Sequence, residues 1–383
     1  MRFLHTSDLH LGKRLHEFSL SEDQRYILQQ IARVAKEQAV DAVLISCDIY
    51  DRPVPSAEAV QLFDQFMTTL VKNGHMVFAI SGNHDSAERL AFGAQLMRES
   101  GVYVSPVYDG TVTRIPLRDE YGELSVYLLP FLKPAVVRHA LGRSEDASSD
   151  EEDIISYQDA LSAALARAEV RAEERSVLLA HQFVTGAGRC DSEEIVVGGL
   201  DNVDASLFDA FDYAALGHIH SPQSVGRETV RYAGTPLKYS FSEAGQVKSV
   251  TIADLREKGT TEIRTVPLTP LRDLKKLRGS YQELMSRSFW QERNREDYVQ
   301  ITLTDEEDIP DVLARLRVIY PNLMRLEYDN RRTRQNQELK AVEELEKKSE
   351  LELFCEFYEK QNNQPMSEEQ KNFVEALIAK LGR

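Results

Sequence analysis

Five short segments of this 383-residue chain carry side chains able to bind metal ions or move protons: "SDLH", "CDIYD", "GNHD", "AHQF" and "GHIH". They supply Asp8, His10, Asp48, Asn83, His84, Asp85, His181, His218 and His220. Mixed oxygen and imidazole donors suit manganese, iron or zinc, and a carboxylate placed between two ions can bridge them. Five of the nine histidines fall in these segments, which scattered core usage would not produce. The other four, His5, His16, His75 and His139, have no such setting.

Each segment closes a short apolar run that reads as a strand. Residues i and i+2 of an extended strand share a face, so Asp8 with His10, and His218 with His220, each aim two donors at one point. Two ions roughly 3.5 to 4 Å apart stabilise both the attacking and the leaving oxygen of a phosphoryl transfer. His84 follows Asn83 and is expected to project away from the ligand direction into substrate space. Asp85 either orients that imidazole or caps the helix that follows. Alternation along "AVLISCD" places Val43, Ile45 and Cys47 on one face and Leu44, Ser46 and Asp48 on the other, so Cys47 is expected to point away from the metals.

The elements that position these residues alternate from the start. "MRFLHTSD", a helix from Ser21 to Gln38 with Ser21 as N-cap, "DAVLISCD", a helix from Ser56 to Asn73 and "MVFAISGNHD" form a β-α-β-α-β series. Strands "TVTRIPL" and "LSVYLLPF", an acidic loop, a helix to about Glu174 and five further strands follow. The reading is an α/β (α+β) fold in which two sheets pack face to face with flanking helices.

That domain is expected to span 1-267. A small α/β cap covers 268-330, comprising a helical segment, the strand "YVQITLTD", a helix near Pro310 to Tyr320 and the strand "LMRLEYD". A charged linker (331-348) and two amphipathic helices (349-383) complete the chain. The helices carry one stripe of Leu351, Phe354, Phe357 and Tyr358, and a second of Phe373, Leu377 and Leu381 behind a Ser367/Gln370 capping box.

The net charge of −16 argues against nucleic-acid binding by bulk electrostatics, but Arg264 to Arg295 holds eight basic residues against three acidic ones. This strip reads either as a solvated surface or as one that touches phosphates, contacts that carry no sequence information. Three cysteines without paired or metal-type spacing suit a reducing compartment. No apolar run approaches the roughly 18 residues of a membrane helix and the first residues read as a strand, so a soluble cytoplasmic protein is expected. Around Gly12 and Lys13, Ser7 and Arg14 stand where a phosphate-binding loop needs Gly and Ser or Thr. Any ATP dependence must come from a partner.

The order D-x-H, D, G-N-H-D, H, G-H-x-H over residues 1 to 240 resembles the calcineurin-like metallophosphoesterases. "FLHTSDLHLGK", "AISGNHDS", "ALGHIHSPQ" and "YAGTPLKYSFSE" are similar to the bacterial break-repair nuclease subunits within that superfamily. The resemblance implies a two-sheet sandwich and two divalent ions, most often manganese. Asp8, His10 and His220 would hold one ion, Asn83, His181 and His218 the other, and Asp48 would bridge, with His84 at the scissile phosphate. It further implies sequence-nonspecific DNA cleavage at ends and hairpins, and C-terminal helices docked on the coiled coil of an ATPase partner. A homodimer within a heterotetramer is implied as well, through the helix carrying Val60, Phe63, Met67 and Leu70. Family members usually have glycine before the bridging aspartate, where this chain has Cys47. Two competing readings are a phosphodiesterase or phosphatase acting on a small nucleotide or phosphoprotein, and an inactive DNA-end scaffold.

Overall fold

The computed structural model describes residues 1–142, 154–171, 173–188, 190–193, 202–331, 333, 355, 358, 366, 367, 370, 371, 373 and 374. The chain divides into two compact units, the first comprising 1–193 with 201–273.

Two six-stranded sheets build this first unit. In one, Arg2–Thr6, Ala42–Cys47, Met76–Ser81 and Val102–Val104 run parallel, and the antiparallel pair Ser249–Leu255 and Thr261–Pro267 extends the edge beside Arg2–Thr6. In the other, Gly122–Leu128, Arg175–His181, Tyr213–Gly217 and Arg227–Tyr232 run parallel, flanked by antiparallel Thr113–Asp119 and Gln223–Val225. The central strands are covered on both faces, which is why they read as unbroken apolar runs. All six residues of Ala42–Cys47 and all seven of Arg175–His181 are buried.

Between the sheets, Phe3, Leu44 and Phe78 of the first pack against Val126, Val177, Leu179 and Tyr213 of the second. The outer face of the second sheet packs Leu178, Ala180 and Leu216 against Val137, Leu161 and Ala164 of helices Pro134–Leu141 and Tyr157–Ala166. Helices Ser21–Glu37 and Ala57–Lys72 form the crossovers of the first sheet and bury Ile27, Ile31, Phe63, Phe66 and Leu70. Ser56 caps the second of these by accepting the Ala59 N–H at 3.2 Å. Ser21, expected as a cap, is instead the first helical residue, and the Leu20 carbonyl accepts the Gln24 N–H at 2.8 Å.

The second unit contains a parallel three-stranded sheet, Leu274–Gly279, Tyr298–Leu303 and Leu323–Tyr328. Its core gathers Leu284, Ile301, Leu303, Leu316 and Leu323. Leu274–Gly279 falls where a helical segment was expected. "LKKLRG" repeats leucine at a three-residue interval, but its ladder with Tyr298–Leu303 overrides that local pattern. The expected linker, apart from Arg331 and Thr333, and the expected stripe residues Leu351, Phe354, Phe357, Leu377 and Leu381 lie outside the described residues. Ser367 and Gln370 do form the capping box: the Ser367 N–H donates to Gln370 Oε1 at 2.9 Å and the Gln370 N–H to Ser367 Oγ at 3.3 Å. Among the described residues no helix is long and apolar enough to cross a membrane.

Candidate metal centre

The C-terminal ends of five parallel strands, three from one sheet and two from the other, deliver the site, as expected of parallel sheets. Asp8 and His10 follow Arg2–Thr6, Asp48 follows Ala42–Cys47, and Asn83 with His84 follows Met76–Ser81. His181 ends its strand, and His218 and His220 follow Tyr213–Gly217.

The paired donors do not arise from strand alternation. The first strand stops at Thr6, and Asp8 and His10 both take left-handed backbone, with φ of 51° and 44°. His218 also has positive φ, 101°. Such conformations cost non-glycine residues about 1–2 kcal/mol each and persist where surrounding contacts enforce them. Here the His218 N–H donates to Asp8 Oδ1 at 3.0 Å and the His10 N–H to the Asp48 carbonyl at 3.0 Å.

Two donor groups result. Asp8, His10 and His220 offer atoms within 4.8 Å of one another, and the Nε2 atoms of His10 and His220 stand 3.2 Å apart. Asn83 Oδ1 lies 3.0 Å from His181 Nε2 and 3.1 Å from His218 Nδ1. Between them, Asp48 Oδ2 is 3.4 Å from His181 Nε2 and 3.9 Å from His10 Nε2. The structure thus brings together all seven expected ligand residues.

The electrostatics fit a cationic guest. Burial pushes the Asp8 carboxyl up. For Asp48 burial acts the same way, but His181 and His10 outweigh it and hold the group below the carboxylate range. Burial lowers His10 and His220, keeping both as neutral donors. His181 is raised to about 9, because Asp48 and Asp8 overcome its desolvation. Buried carboxylates that draw positive charge onto an imidazole form a donor set suited to divalent ions.

Close approach explains two glycines. A Cβ on Gly217 would fall 1.6 Å from the Ser46 carbonyl oxygen and 2.7 Å from His181 Nδ1, so bare backbone is required where the sheets meet. A Cβ on Gly82 would fall 2.0 Å from Asp48 Oδ1.

Cys47 is fully buried, and its sulfur accepts the Leu9 N–H at 3.1 Å. Burial pushes its thiol well up, away from thiolate chemistry. His84 is partly exposed; its N–H donates to Asp48 Oδ1 at 2.8 Å, its Nδ1 lies 3.2 Å from the Asp51 carbonyl, and its Nε2 lies 3.9 Å from Asp48 Oδ2. Asp85 departs from both expectations. Its carboxylate accepts the N–H groups of Ile49, Tyr50 and Gly82 at 2.9, 2.9 and 3.1 Å, so it pins two site loops together rather than orienting His84. The helix cap is Ser86.

Several supports were not foreseen. Gln24 Nε2 donates to the His10 carbonyl at 2.7 Å, the Tyr239 hydroxyl donates to the Leu9 carbonyl at 2.5 Å, and Lys13 pairs with Asp51 at 2.7 Å. Around His220 stand Ser192, Glu193, Glu243 and Lys248. No local spacing marks these residues, because only the tertiary fold unites them.

The family model for calcineurin-like phosphoesterases matches residues 1–222, and SbcD_C, described as the type 5 capsule protein repressor C-terminal domain, matches residues 270–362. The SbcD subunit of nuclease SbcCD from Staphylococcus epidermidis (strain ATCC 12228 / FDA PCI 1200) is 30% identical over 389 residues, covering 99% of this chain and 98% of that protein. A dimetal phosphatase from Danio rerio is 12% identical and covers 70% of this chain and 99% of its own, with a TM-score of 0.39. A protein from Thermus thermophilus is 12% identical and covers 69% and 98%, also with a TM-score of 0.39. Likeness at these two low scores carries no argument about function.

Proposed function

Because the chain belongs to the SbcD family of calcineurin-like phosphoesterases, we propose that it cleaves DNA phosphodiesters at double-strand ends and hairpins, using two manganese ions and an SbcC-type coiled-coil ATPase. It is a nuclease subunit whose phosphoesterase fold uses divalent metal. The observation that carries the finer reading is the position of Asp48 Oδ2 between His10 Nε2 and His181 Nε2.

In this reading Asp8, His10 and His220 would hold one ion, Asn83, His181 and His218 the other, and Asp48 would serve both. Bound there, the ions would supply positive charge that activates water and neutralises the phosphate oxygens. A carbonyl only accepts hydrogen bonds, so the contact with Asp51 keeps the His84 proton on Nδ1 and makes Nε2 the atom that serves the phosphate. When protonated there, Nε2 gives its proton to the leaving oxygen. Asp85 acts through the backbone of Ile49, Tyr50 and Gly82, steadying the loops that carry Asp48 and Asn83. No side-chain nucleophile is needed: Cys47 is turned to Leu9, and the Ser7 hydroxyl donates to the Gly234 carbonyl at 3.2 Å.

Exposed Lys276, Arg287 and Arg293 supply phosphate contacts within the basic strip. Arg272, bound to Asp23 at 2.8 Å, and Arg278, bound to Asp329 at 2.8 Å, are committed to carboxylates and count for less. For the homodimer, Phe63 and Leu70 are core residues, which leaves Val60 and Met67 beside exposed Phe92 around a cavity of about 400 Å³ as the apolar face offered to a second copy.

The test is cleavage of blunt and hairpin DNA by the purified chain, with and without the ATPase, ATP and manganese. Cutting that requires manganese supports the reading. Hydrolysis of model phosphodiesters without DNA cleavage under any of these conditions overturns it in favour of a small-substrate phosphodiesterase.

A further inference from the structure

His220 reaches the centre through Nε2, and its other ring nitrogen is held by a chain of three residues from distant parts of the sequence. Nδ1 lies 2.7 Å from the Ser192 hydroxyl, which donates to Glu243 Oε1 at 2.6 Å. Glu243 is fully buried, and its second carboxylate oxygen pairs with Lys248 Nζ at 2.5 Å. Thr235 Oγ1, at 3.4 Å, and the Tyr239 N–H, at 3.3 Å, also donate to this carboxylate.

These contacts fix the direction of each proton. Lys248 Nζ, the Thr235 hydroxyl and the Tyr239 N–H all donate to the Glu243 carboxylate, whose oxygens therefore act as acceptors in this chain. The Ser192 proton therefore points at Glu243, and the serine oxygen accepts from Nδ1–H. That leaves Nε2 with its lone pair toward His10 and Asp8. Two further bonds fix the backbone of the same residue. Its N–H donates to Glu193 Oε1 at 2.7 Å, and its carbonyl accepts from Lys248 Nζ at 2.9 Å.

We propose that Ser192, backed by Glu243 and Lys248, is a positioning residue that sets the His220 tautomer and tunes the affinity of the ion held by Asp8, His10 and His220. It is a carboxylate–histidine–metal arrangement with a serine hydroxyl inserted between carboxylate and imidazole. The proposal rests on the two-ion reading above. It adds a control point outside the five donor segments, on the stretch at 190–193.

The experiment is manganese titration by calorimetry on the full chain, comparing the parent with Ser192→Ala and Ser192→Thr. Ser192 is partly exposed, so the alanine variant is expected to keep the parent's circular dichroism. The expected result is about a 10- to 100-fold loss of affinity at one of two ions in Ser192→Ala, with the other unchanged and the loss reversed in Ser192→Thr. Nitrogen-detected histidine spectra of the metal-free chain should show His220 protonated on Nδ1 in the parent and the threonine variant, and mixed in the alanine variant. Equal affinities for both ions in parent and Ser192→Ala overturn the inference, even if the parent cleaves DNA and the proposed function stands. A parent that shows the expected affinity pattern yet never cleaves DNA overturns the nuclease reading and leaves the Ser192 inference supported.

Discussion

Asp48 Oδ2 faces His181 Nε2 at 3.4 Å across the seam where the two sheets meet, and stands 3.9 Å from His10 Nε2, which sets one carboxylate between the two donor groups. Asp48→Asn keeps the size and removes the charge. Losing an outer hydrogen-bond partner of a ligand costs roughly 10- to 100-fold in affinity, so losing the shared carboxylate should cost more than about 100-fold in manganese binding. Cleavage should fall with it. Calorimetry that still finds two tightly bound ions in the variant would remove Asp48 from the bridging position.

His84 should separate catalysis from metal binding. It contributes no atom to either three-ligand group proposed above, and its Nδ1 is already engaged near the Asp51 carbonyl. His84→Gln should slow DNA cleavage by about 100- to 10,000-fold, the usual worth of a general acid, while manganese affinity changes little. An equal loss in both measurements would recast His84 as a ligand, which the closeness of His10, Asp48 and His84, with His84 Nε2 3.9 Å from Asp48 Oδ2, leaves geometrically open.

The donor segments were legible because each closes an apolar strand, and strand ends on one edge of parallel sheets converge. The way they converge was not legible: left-handed backbone at Asp8, His10 and His218 replaces the alternation that an extended strand would impose. Asp85 misled for a related reason. Adjacency to His84 suggested a side-chain partner, whereas its oxygens take backbone amides 35 and 36 residues away and one three residues away. Ser192 and Glu243 meet across 51 residues, and nothing local announces that pairing. In the second unit, the leucine spacing of Leu274–Gly279 imitates a helix until a neighbouring strand pairs with it.

Acid stability should report on Asp119, at the edge of the second sheet and far in sequence from every donor. Burial alone would raise this carboxyl, but the Arg175 guanidinium and the N-terminal amino group of Met1 bring it down to about 2 from an ordinary 3.8. Because the folded value is the lower one, its stabilisation is complete above 3.8 and vanishes as pH falls through 2. Allowing for solvent screening, it contributes on the order of 1 kcal/mol. Asp119→Asn should therefore melt below the parent at pH 7, and the gap should close as the pH drops through that window. A gap independent of pH would mean that packing, not charge, holds Asp119 in place.

Cys47 occupies the position directly before Asp48, where family members usually have glycine, which raises the question of whether its side chain crowds that carboxylate. The sulfur faces the Leu9 N–H at 3.1 Å, and the contact ties the strand to the loop that carries Asp8 and His10. Closeness to Asp48 is enforced at Gly82, where a Cβ would lie 2.0 Å from the carboxylate. Cys47→Ala removes a buried sulfur without touching the ligands, so it should cost about 1–2 kcal/mol of stability and leave manganese affinity within about twofold of the parent. Gly82→Ala should do the reverse of sparing the centre: the methyl collides with Asp48, and metal affinity should drop sharply. If Cys47→Ala changes manganese binding as much as Gly82→Ala does, the thiol is coupled to the centre after all, through the Leu9 backbone.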